Sequence, residues 1–143
     1  MKGFLLFCFM IAALWDGATT VLGTAVILQA QEPIQYGFCV AAAFVVLGLG
    51  FGTKTFFSKS GVVYGFFKVG WVFAMFFDVL TSFMGNARYV ILKQPFNVIS
   101  NEGFLETVNR ISSQQLLVVT VMTLLVSGSP IAYSYIAGDR DIK

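Results

Sequence analysis

The stretch FFDVLTSFMG (residues 76–85) sets a carboxylate and two hydroxyls into a run that otherwise suits lipid. ALWDGATTVLG (residues 13–23) does the same near the start of the chain. Each is embedded in a longer apolar segment, and the length of those segments decides the fold. A hydrocarbon core about 30 Å thick takes about 20 apolar residues to cross in helical form. Four stretches meet or approach that length: about 3–30, 34–52, 61–85 and 113–137. They lack the strict alternation of a lipid-facing barrel strand. The expected fold is therefore all-α: a single domain over residues 1–143, with four transmembrane helices in a small bundle.

Composition agrees. The chain has 143 residues, 57% hydrophobic and 11% charged, whereas soluble domains carry about 25% charged residues. Its mean hydropathy is +0.82. A formal net charge of +2 with no Lys/Arg cluster is too small to suggest nucleic acid, and none is expected as a partner. The expected partners are membrane lipid and either further copies of the chain or other membrane subunits.

The first segment opens as a signal peptide would, with Lys2 and then an apolar run. Asp16 interrupts that run, and the segment is long enough to span, so it is expected to be retained as a helix. Cys8 and Cys39 fall near the starts of successive antiparallel helices. Their thiols are expected at opposite membrane faces, beyond the roughly 7 Å Cα separation that a disulfide allows. Lys2, Lys54, Lys59, Arg140 and Lys143 fall on one side, against Arg88, Lys93 and Arg110 on the other. That asymmetry predicts an integral multi-pass protein with both termini in the cytoplasm.

The polar loop at about 87–112 contains SNEGFLETVNRI, in which Phe104, Leu105, Val108 and Ile111 share a helical stripe. This predicts a short amphipathic helix, capped by Ser100 or Asn101, with Glu102 in its first turn. Small residues let helices approach closely in lipid. Gly48 and Gly52, and Gly61 and Gly65, flank the second loop at glycine-three-glycine spacing and predict a tight hairpin of the second and third spans. Pro130 predicts a bend in the fourth span, because its ring removes a backbone donor. Lys68, the one basic residue inside a span, is expected to snorkel to the interface.

The two opening stretches align residue by residue: Asp16, Thr19, Thr20 and Gly23 match Asp78, Thr81, Ser82 and Gly85. Offsets of three, four and seven lie on one helical face. The odd-numbered spans run in the same direction, so the match suggests a parallel two-helix internal repeat. Counting about 1.5 Å per residue puts both aspartates at similar depth. A carboxylate at the membrane centre costs about 2.5–3.5 kcal/mol on insertion scales, so something must offset it twice. Hydrogen bonds across helices would do so, with the Asp/Thr faces acting as polar glue. A hydrated path would also do so, with Asp16, Thr19, Thr20, Asp78, Thr81 and Ser82 binding a cation or proton.

The chain has no histidine, which removes the usual general base and most zinc and haem sites. Intramembrane aspartyl proteases share only the presence of two carboxylates. Their glycine-x-glycine-aspartate motif is missing, since Ala13, Leu14 and Trp15 precede Asp16. No catalytic residue, cofactor or metal is expected. The leading functional expectation is a homo-oligomeric cation or proton channel or transport subunit. The alternative is a non-catalytic structural or accessory subunit of a larger membrane assembly.

Overall fold

The computed structural model describes residues 1–93 and 103–138. Among these described residues, seven α-helices and one π-helical segment build four apolar helices long enough to cross a membrane. The first span is α1 (Lys2–Ile27) and the second is α2 (Pro33–Phe51). A short α3 (Thr53–Ser58) leads to α4 (Val62–Gly85). Helix α4 runs on through a π-helical segment (Asn86–Ile91), so the third span reaches past residue 85. After the short α5 (Phe104–Asn109), α6 (Ser113–Ser127) and α7 (Ser129–Gly138) together make the fourth span.

Local chemistry explains the joints. Pro33 opens α2 at its first turn, where a missing N–H costs nothing. The Gln35 side chain closes that end by accepting from the backbone N–H of Glu32 at 2.9 Å. Helix α6 starts with the same device: Ser112 caps it, and Gln115 Oε1 accepts from Ser112 N at 3.1 Å. The fourth span breaks at Gly128, two residues before Pro130, as a proline that cannot donate requires. Pro130 then packs over Gly50 of α2, where a Cβ would lie 2.7 Å from the ring.

Two sequence expectations change here. The glycines at 48, 52, 61 and 65 do not form a hairpin seam between α2 and α4. Gly48 and Gly65 face open space, Gly52 packs against Phe56 of α3, and Gly61 (φ 129°) makes the turn into α4. Gly48 and Gly65 lie on faces that no neighbouring helix covers, and Gly52 keeps helical backbone bonds that run α2 on into α3. The second change concerns α5. The caps expected at Ser100 or Asn101, and Glu102 with them, lie outside the described residues, and Gly103 stands at the N-cap. The helix docks through buried Thr107 and the following Ile111, while Leu105 is 74% exposed. Phe104 rests on Phe83, with ring centroids 5.6 Å apart.

Among the described residues, Cys8 and Cys39 are free thiols, one exposed and one buried. Lys68 turns its ammonium to the end of the bundle, donating to the Lys59 carbonyl at 3.1 Å and lying over the Phe57 ring. The exterior is a continuous coat of Phe, Val, Leu and Ile, which defines an integral multi-pass membrane protein. Polar side chains lie inside, with Asp16, Thr20, Asp78, Thr81 and Ser82 among the most buried.

Candidate functional site: a buried carboxyl and hydroxyl cluster

The polar stripes of α1 and α4 face each other. Asp16 is 0% exposed and Asp78 1%. Ser82 Oγ donates to Asp16 Oδ1 at 2.8 Å, and Thr20 Oγ1 is bonded to Asp78 Oδ1 at 2.8 Å. Each aspartate is thus met by the second hydroxyl of the opposite stripe. Those two hydroxyls touch each other at 2.9 Å. This chain of contacts through the two hydroxyls places the carboxyls at the same depth.

The first hydroxyl of each stripe turns back on its own helix. Thr19 Oγ1 donates to the Asp16 carbonyl at 3.0 Å, and Thr81 Oγ1 to the Phe77 carbonyl at 2.9 Å. Such back-bonding satisfies a hydroxyl in an apolar helix without a partner from outside. Thr19 also reaches Ser82 Oγ at 3.2 Å.

The glycines of the two stripes explain how the helices come so close. A Cβ on Gly23 would strike the Thr81 carbonyl, and one on Gly85 would strike the Thr19 carbonyl. Both contacts are backbone against backbone, so no side-chain rotation relieves them. Gly23 and Gly85 thus let α1 and α4 approach backbone to backbone, in reciprocal positions.

Sequence reasoning missed the third wall of the cluster. Ser127, the last residue of α6, donates to Asp16 Oδ1 at 2.7 Å. Asp16 Oδ1 thus receives two hydroxyl bonds, while Asp16 Oδ2 has no hydrogen-bond partner among the described residues. One turn further along, Trp15 Nε1 donates to Asn86 Oδ1 at 3.1 Å, and Asn86 Nδ2 donates to Thr123 Oγ1 at 3.2 Å. These bonds tie α1, the π-helical segment and α6 together. Asn86 opens the π-helical segment, a feature that often re-aims a side chain within a helix. Beyond it, Arg88 is buried against α5, with Nε donating to Thr107 Oγ1 at 3.3 Å.

Clefts flank the cluster without reaching it. One of about 140 Å³ lies between Trp15, Asn86, Val119 and Val126. Another of about 210 Å³ follows the α1–α2 groove along Gly17, Ala18 and Ala43. Neither aspartate lines either cleft. Among the described residues, no three His, Cys, Asp or Glu side chains gather into a metal-binding group.

The fold and the cluster define a small four-span helical membrane protein with buried Asp/Thr contacts between its helices. Comparison with protein families, curated proteins and solved structures finds no match.

Proposed function

We propose that this chain is a non-catalytic membrane subunit, in which the Asp/Thr cluster locks α1, α4 and α6 in one register. One observation carries the reading: the two stripes are bonded to each other inside a single chain. The contacts of 2.7–2.9 Å are those of direct O–H···O hydrogen bonds. Carboxyls turned into the bundle of one chain are poorly placed to line a pore around an oligomer axis. The apolar exterior suits lipid and other membrane subunits, and the lysines at the end carrying the termini favour a cytoplasmic location for that end.

A transport reading remains as a second one, favoured by the two carboxyls in a single cluster and by the unpartnered Asp16 Oδ2. The test is the Asp16→Asn/Asp78→Asn protein beside wild type, with ion flux measured in liposomes and particle size measured in detergent. The assembly reading expects no cation or proton flux from either protein, the same co-purifying chains and similar size. Flux from wild type that vanishes in the variant at unchanged size overturns it in favour of transport.

A further inference from the structure

The hydrogen-bonded path between the two carboxyls has four stations: Asp78 Oδ1, Thr20 Oγ1, Ser82 Oγ and Asp16 Oδ1. Its three contacts measure 2.8, 2.9 and 2.8 Å. Each contact is short enough to require a proton between its oxygens. A hydroxyl has one proton to donate, so Thr20 and Ser82 supply two. With both aspartates ionised, one of the three contacts brings two oxygens together with no proton between them. Neighbouring donors do not change this count. Ser127 donates to Asp16 from outside the path, and Thr19 has only its own proton, which the Asp16 carbonyl at 3.0 Å also accepts. One further proton completes all three bonds.

The surroundings say where that proton sits. Asp16 Oδ1 accepts from Ser82 and from Ser127, and donors directed at a carboxylate favour its charged form. Among the described residues, Asp78 Oδ1 accepts one such bond, from Thr20. Two full negative charges joined through only two hydroxyls inside an apolar bundle also oppose each other strongly. We infer that the Asp16–Asp78 pair is a binding site for a single proton, carried by Asp78 as the acid, with Asp16 as the carboxylate. The bonds then run one way, from Asp78 through Thr20 and Ser82 to Asp16. Moving the proton to Asp16 reverses two hydroxyls and leaves the oxygens in place. This concerns the same cluster as the proposed helix lock and goes beyond it, since a lock needs no particular proton count.

The test leaves the cluster intact. Asp139→Asn/Asp141→Asn protein, labelled with ¹³C at the aspartate side-chain carboxyl, has Asp16 and Asp78 as its only labelled groups. Isotope-edited infrared spectra in lipid at neutral pH then count acids and carboxylates directly. The expected result is one carboxylic acid band and one carboxylate band of equal occupancy. Two carboxylates, or two acids, overturn the inference, and either would leave a helix lock of normal stability standing. Adding Asp78→Asn in the same background is expected to abolish the acid band. An acid band persisting on Asp16 would overturn the assignment of the proton to Asp78.

Discussion

At the scale of single residues, the cluster assigns different weights to groups that look equivalent in the sequence. Asp16 accepts two hydroxyl bonds and Asp78 one, so truncation should cost more at position 16. Interhelical hydrogen bonds in lipid average about 0.6 kcal/mol, with a maximum of about 1.7. Asp16→Ala is therefore expected to destabilise the bundle by about 1–2 kcal/mol, and Asp78→Ala by roughly half of that, as read from reversible unfolding in mixed micelles. The glycines make a sharper contrast. Gly23→Ala drives a methyl into the Thr81 backbone and should cost about 2–3 kcal/mol, in the upper range for overpacking. Gly65→Ala meets nothing within 4 Å and should stay within about 0.5 kcal/mol of wild type. Equal losses at the two positions would contradict the packing described.

The scale of elements shows what periodicity conveys and where it stops. Offsets of three, four and seven were enough to place Asp16, Thr20 and Gly23 on one face, and Asp78, Ser82 and Gly85 on another. They did not say that these faces meet, because a helical pattern identifies a polar stripe and not its partner. Ser127 was not legible, since one serine in an apolar helix forms no stripe. The glycine pairs at 48/52 and 61/65 pointed to a seam that does not form, because spacing marks a small-residue face and not its partner, and the glycines at 23 and 85 make the backbone approach between α1 and α4. The π-helical segment was not legible, because nothing in NARYVI separates a π turn from an α turn. It does place Asn86 between Trp15 and Thr123. Asn86→Leu, in a Trp71→Phe background that leaves Trp15 as the only indole, is expected to shift Trp15 emission by freeing its N–H. Unchanged emission would mean that the Trp15–Asn86 bond is not formed.

At the scale of the whole molecule, an apolar coat encloses an interior in which carboxyls and hydroxyls sit among buried apolar side chains. Lipid offers no hydrophobic gain for bringing helices together, so close packing and interhelical hydrogen bonds must hold them. Reciprocal glycine contacts between α1 and α4, with hydroxyls from α1, α4 and α6 on two carboxyls, supply both. Because those contacts lie within one chain, the Asp16→Asn/Asp78→Asn protein is expected to keep its oligomeric size while its helices come apart more readily. A fall in oligomeric size without loss of monomer stability would relocate the cluster to an interface between chains.

The most direct measurement is a double-mutant cycle on Asp16→Ala and Ser82→Ala, with unfolding free energies taken in lipid bicelles. A contact that locks α1 to α4 predicts a coupling of about 0.6–1.7 kcal/mol between the two changes. Additivity within about 0.3–0.5 kcal/mol would mean that the two side chains do not act together, and the helix-locking account would fall.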